Sequence, residues 1–201
     1  MSRLVPFQPA LRALDTLLGW RDPWLPVERR RDGETRSCWH RCHDGAALIT
    51  LVARADELWS DEVLLGLPER TRGRGQSGAT ILWARVEGPK QLKRAYSYRP
   101  LPNIAVQEGS KRWLIWALDR WLPYFDVEDR NRKLAYHLGA VQRFGSPENF
   151  ALPAPGSCAR EGRTRPAPVV TRRLEPGTFA PDALTRRLKE PPDRDAWRKT
   201  G

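Results

Sequence analysis

The spacing of apolar residues changes period several times along this chain, and each change predicts an element. In residues 9–19, "PALRALDTLLG", Leu11, Leu14, Leu17 and Leu18 recur at helical spacing between an opening proline and a closing glycine. This predicts a short amphipathic helix. "WRDPWLPVERRRDGE" is proline-broken and charged, which predicts a surface loop. "TRSCWHRC" and "ALITLVAR" flank "HDGA", whose Asp44-Gly45 pair is a tight-turn signal, so a hairpin is expected there. "EVLLGLPE" predicts a short strand, and the basic, glycine-rich "RTRGRGQSG" after it suits no regular element. "ATILWARVE" carries the strongest strand signal, an apolar run with β-branched and aromatic residues.

Further along, "PKQLKRAYSY" opens with proline where a helix's first turn favours it. "NIAVQEG" and "RWLIWAL" predict two strands around a turn, with a buried helix over "RWLIWALDRWL" as the alternative. "VEDRNRKLAYHLGA" predicts a helix, with acids in its first turn, Leu134 and Leu138 on one face and Gly139 near its end. After Gly145 the composition turns to proline, glycine and arginine in "SPENFALPAPGSCAREGRTRPAP". "VVTRRL" returns as a strand, "APDALTRRLKE" as a short helix, and "PPDRDAWRKTG" as a frayed tail. Strands broken by helices, with antiparallel hairpins and no internal repeat, indicate an α+β sheet domain rather than a doubly wound parallel one.

Composition sharpens this picture. The 201 residues suit one domain, or one domain with tails, and 40% hydrophobic content with nine tryptophans supplies a core. The formal net charge of +11 suits a polyanionic partner: nucleic acid first, an anionic membrane or acidic protein second. Arginine-rich codon usage is the bland alternative. Three cysteines, no secretory pattern in "MSRLVPFQPALRALD" and no apolar run of bilayer-spanning length lead to the expectation of a cytoplasmic protein without a membrane partner.

Four of the chain's six Cys and His residues fall in "CWHRCH": Cys38, His40, Cys42 and His43. These are metal-ligand types, and a strand would put Cys38, His40 and Cys42 on one face. Structural zinc sites draw ligands from two separated turns, so Cys158 or His137 would have to close the set. A strand with half-buried cysteines and surface histidines is the simpler reading. Arg70, Arg72 and Arg74, spaced by glycine or threonine, suit phosphate oxygens, without the terminal Gly-Lys-Ser/Thr of a Walker loop; the alternative is a solvated hairpin tip. Trp113, Trp116 and Trp121 lie near Lys111, Arg112 and Arg120, an interleaving that can stack bases and hold a backbone. Core packing is expected to take at least two of these three tryptophans. No nucleophile elbow, His-Glu-x-x-His or Gly-x-Gly-x-x-Gly is present.

From about Asp61 to Leu188 the order of motifs resembles the primase-polymerase domain of the archaeo-eukaryotic primase superfamily, in the form found in bacterial mobile elements and phages. "VLLGLPERTRGRG" stands where that family has a strand ending in a Gly-Pro-Arg-type loop, and "ILWARVEG" where it has Leu-Trp-x-Asp-x-Asp. "PLPNIAVQEG" and "EGSKRWLIW" come next, in place of the segment leading to its serine-glycine turn, histidine and Tyr-Trp pair. "PENFALPAPGSCAREGRTRPAPVV" and "FAPDALTRRL" stand for its last acid, Arg-Leu-Pro-Gly motif, basic loop, closing strand and helix. The resemblance implies an RRM-like antiparallel or mixed sheet with flanking helices, joined to a second small α/β unit around a nucleic-acid cleft. The expected organisation is residues 1–60 as an N-terminal helix and hairpin of the same domain, 61–190 as the primase-polymerase-like core and 191–201 as a tail.

The family's chemistry needs clustered carboxylates that hold two divalent ions. Here the first strand aspartate falls at Arg85, the second at Glu87, the histidine at about Trp113 and the third acid at Glu148. An arginine at a metal-ligand position repels the ion. The expectation is a catalytically degenerate domain that binds DNA or RNA in replication of a phage, plasmid or integrated element. Its phosphate contacts would be Arg70, Arg72, Arg74, Arg85, Lys111, Arg112, Arg160, Arg163 and Arg165, with no cofactor. One alternative is an active nucleotidyltransferase using Glu87 and Glu148 with magnesium or manganese. Another is an interaction module for a replication or host protein.

Overall fold

Leu11, Leu14 and Leu18 line one side of α1 (Gln8–Leu18), and all three are fully buried. The computed structural model describes residues 7–19, 23–31, 34–59, 62–73, 77–140, 145–161, 165–168, 170–173 and 177–191. The segment expected as a loop is instead β1 (Trp24–Arg31), paired antiparallel along its whole length with β2 (Glu34–Arg41). Leu25 and Val27 alternate into the core with no exposure, and that burial outweighs Pro26 and the charged end of the strand.

The hairpin expected at Asp44-Gly45 does not form either. Residues 45–59 are α2 (Gly45–Trp59), and the Asp44 carboxylate accepts the Ala47 N–H at 3.0 Å as a helix N-cap. Leu48 and Val52, four residues apart, are its buried contacts.

The remaining elements are β3 (Glu62–Leu65), β4 (Gly78–Glu87), α3 (Gly88–Ser97), β5 (Ile104–Glu108), β6 (Lys111–Pro123), α4 (Tyr124–Leu138), β7 (Leu152–Pro153), β8 (Cys158–Glu161), β9 (Arg165–Pro168), β10 (Val170–Arg173) and α5 (Pro181–Thr185). Of these, the short strands β7, β8 and β9 fall in the Pro-, Gly- and Arg-rich stretch for which no strand was expected, and the others agree with the sequence reading. The alternative of a helix over "RWLIWALDRWL" gives way to β6, whose residues 113–118 are all buried. A helix would present part of that run to solvent, whereas a strand inside a sheet covered on both faces buries all of it.

The strands form one sheet in the order β2-β1-β3-β7, a second in the order β10-β5-β6-β4, and a β8–β9 pair. Every strand pair is antiparallel; one isolated bridge, Leu118 to Phe179, is parallel. The first sheet draws strands from both sides of residue 60, so the N-terminal segment shares a core with the rest of the domain. Apart from Pro191, the expected tail lies outside the described residues. No helix among the described residues is long and apolar enough to cross a membrane.

The register of the second sheet sorts its side chains. Trp83, Arg85 and Glu87 of β4 lie opposite Ile115, Trp113 and Lys111 of β6, which lie opposite Ile104, Val106 and Glu108 of β5. All nine therefore share one face. The other face carries Leu82, Ala84, Val86, Leu114 and Trp116 under the helices. Tyr98, just past α3, meets Trp116 edge-on at 5.9 Å. Asn131 of α4 accepts the Trp83 N–H at 2.9 Å and donates to Gly145 O at 3.0 Å.

Candidate nucleic-acid site

The exit of β4 sets the site. Arg85 is half-buried, with its guanidinium carbon 5.7 Å from the ring centre of Trp113, its cross-strand neighbour. Glu87, two residues on, is exposed and lies opposite Lys111. Ser110 Oγ donates to Glu87 Oε1 at 3.3 Å, and the Glu87 N–H donates to Gln91 Oε1 at 2.5 Å. Gly88 comes next with φ of 79°, a conformation that lets the chain leave the strand and enter α3 at once. The strand thus delivers a cation and an acid side by side on one face.

Glu148 sits on a 3₁₀ turn (Pro147–Asn149) and is exposed. Phe150, directly after that turn, is buried against Trp83 at 4.7 Å and Trp113 at 5.7 Å between ring centres. This packing seats the Glu148 segment over the face that bears Arg85. Among the described residues, no three Cys, His, Asp or Glu side chains are placed to share a metal ion. The Arg85 guanidinium presents a fork that can pair with a phosphate.

Sequence reasoning missed Glu62, which begins β3. Burial pushes its carboxyl above the usual range; Arg30 and Lys111 pull it down, and Glu108 and Glu28 push it up. The first sheet therefore brings a half-buried acid and its neighbours towards Glu108 and Lys111 on the Arg85 face. In the sequence Glu62 is only the acid at a strand's start, and its neighbours come from two distant segments.

Arg70 and Arg72 of the basic loop are exposed, and each lies by a tryptophan. Arg70 lies 4.6 Å over the Trp121 ring and Arg72 5.7 Å from Trp24, both in cation–π range. Arg74 lies outside the described residues. Trp113 and Trp116 are core residues, 2% and 0% exposed, as expected for at least two of the three. Lys111 is on the Arg85 face, but Arg112 is on the opposite one, donating to the Tyr96 hydroxyl at 2.5 Å. Strand alternation separates the two, so they do not act as one patch. Arg160 and Arg165 belong to the paired strands β8 and β9, whose side chains lie outside the description, as does Arg163 altogether.

The "CWHRCH" side chains are engaged elsewhere. His40 Nε2 meets Asp15 Oδ1 at 2.7 Å in the core, and His43 Nε2 meets Gly19 O at 2.7 Å. Cys42 is buried beside Gly19, and Cys38 packs partly buried against the core. His137 stacks near Tyr98, 5.6 Å between ring centres, on the far side of the second sheet. The Cys158 side chain lies outside the description.

No family model matches the sequence, and no curated protein matches it. Solved structures do match the fold. The archaeo-eukaryotic primase domain of the cyanophage S-2L primase-polymerase superposes with a TM-score of 0.64 at 10% identity, over 90% of this chain and 98% of that one. The fold is that of a primase-polymerase domain. The catalytic domain of primase RepB′ in complex with initiator DNA gives a TM-score of 0.65 at 12% identity, over 88% of each chain. A further structure of primase RepB′ gives 0.64 at 12% identity, over 88% of this chain and 59% of that one. At these identities the likeness concerns the primase-polymerase fold and leaves the chemistry to the site residues.

Proposed function

We propose that this chain is a nucleic-acid-binding, catalytically degenerate primase-polymerase-like domain that serves replication of a phage, plasmid or integrated element. The observation that carries the reading is Arg85. It stands beside Glu87 on the one sheet face where the resemblance puts a metal-binding aspartate. A fixed guanidinium there takes the place of a divalent ion as the positive charge facing a phosphate. Lys111 adds a cation on the same face, and the net charge of +11 favours polyanions throughout. That a fold neighbour was solved with initiator DNA adds to the same reading. Replication proteins would be its further partners.

The test is binding of labelled single- and double-stranded oligonucleotides across a salt series, with primer extension run in parallel. Micromolar or tighter binding that weakens steeply with salt, without extension, is expected. Extension in Mg²⁺ or Mn²⁺ that Glu87→Ala abolishes would overturn degeneracy and establish the active nucleotidyltransferase instead.

A further inference from the structure

On the helix-covered side of the second sheet, away from Arg85, a groove of about 750 Å³ opens between the turn after α3 and α5. Its lining includes Tyr98, Arg99, Asp182, Arg186, Arg187 and Leu188. Three of these are arginines, and only one is an acid. That acid is matched chiefly from outside the groove, with Arg186 of the lining as a lesser neighbour. Arg130 pairs with Asp182 at 2.8 Å and Arg120 approaches it at 3.7 Å, and the Arg130 hydrogen bond holds its carboxyl below the usual range. The groove therefore presents a cationic surface to solvent.

Its frame is fixed. The Tyr98 hydroxyl donates to Leu184 O, and Arg130 Nη1 donates to Thr185 Oγ1 at 2.5 Å. Leu184 and Thr185 are 2% and 4% exposed, so α5 is anchored in the core while Arg186 and Arg187, just beyond it, are exposed. Arg99 is held at the other wall by bonds from Nη1 to Tyr96 O at 2.7 Å and Tyr98 O at 2.9 Å. Those bonds leave the rest of its guanidinium donors for a ligand. The one aromatic ring in the lining, Tyr98, is 8% exposed, so it offers no stacking platform for a base.

One held guanidinium and two exposed ones, without a stacking ring, fit backbone phosphates rather than bases. We propose that this groove binds the phosphate backbone of a nucleic-acid strand, independently of sequence and as a second contact separate from the Arg85 face. The inference rests on the reading of the chain as a nucleic-acid binder, and it adds a second surface to it.

The experiment compares the full chain with the double variant Arg186→Glu, Arg187→Glu, measuring affinity for a labelled oligonucleotide across salt. Two lost phosphate contacts should make the slope of log K against log salt shallower by about 1.4 for a single strand or about 1.8 for duplex DNA. The loss should be equal for unrelated sequences, with the thermal unfolding curve unchanged. Reversing Arg12 and Arg41, exposed on α1 and β2, changes net charge equally and should leave the slope within error. An unchanged slope in the groove variant, or an equal change in the control, overturns the proposal. So does competition by a nucleoside triphosphate alone that depends on Arg186 and Arg187, which would make the groove a nucleotide site. A wild-type chain that fails to bind any oligonucleotide at low salt would overturn the proposed function itself, a result separable from failure of the groove.

Discussion

Phe150→Ala removes the ring that fastens the Glu148 turn to the second sheet. Phe150 is 5% exposed and meets two tryptophans edge-on, Trp83 at 4.7 Å and Trp113 at 5.7 Å. Truncating a buried phenylalanine costs about 3–5 kcal/mol, of which each aromatic contact accounts for about 0.5–1.5 kcal/mol. Trp83 and Trp113 are held in β4 and β6 and cannot close the gap, so the cost falls no lower than the middle of the range, about 4 kcal/mol. For a chain of this size that lowers Tm by about 8–16 °C. Urea unfolding gives the free energy directly, and a midpoint shift with unchanged slope confirms that stability alone has moved. Phe150→Leu keeps most of the volume and should cost no more than about 1.5 kcal/mol beyond the lost ring contacts. A loss below about 1 kcal/mol for the alanine variant would mean that the turn is not docked on the Arg85 face.

The buried pair of His40 and Asp15 gives a second prediction. His40→Ala strands the Asp15 carboxylate in the core and should cost about 3 kcal/mol or more in urea unfolding. Replacing both by leucine should recover most of it, and equal losses in single and double variants would refute the pairing. Glu62 gives a pH dependence. Its carboxyl is raised from 4.5 by burial, so the folded chain keeps a proton that the unfolded chain releases, and stability falls as pH rises through that window. Glu62→Gln should flatten that fall in Tm as pH rises above the ordinary carboxyl range, and superimposable curves would refute it.

The sequence was most informative where packing is local. The apolar run of β4 and its alternation place Arg85 and Glu87 on one face, as the register bears out. The helix was legible from Val127 onward through its N-terminal acids and Gly139, and the structure begins it three residues earlier, at Tyr124. β1 was not, because Pro26 and the charged run from Glu28 to Arg31 hide the two inward residues, Leu25 and Val27, that decide its burial. At α2 one residue supports two readings: Asp44 before glycine signals a turn, yet its carboxylate also caps a helix, and the four-residue spacing of Leu48 and Val52 selects the helix. Glu62 and the seat of Phe150 depend on segments far apart in sequence, whose meeting no local pattern encodes.

Binding without a metal-built centre is tested most directly by titrating labelled single-stranded DNA into the protein in EDTA at about 50 mM salt, then repeating with Mn²⁺. The Arg85 reading predicts a micromolar or tighter Kd in EDTA, little changed by the metal and weakened steeply by added salt. No binding in EDTA, or binding that appears only when the divalent ion is supplied, would contradict it.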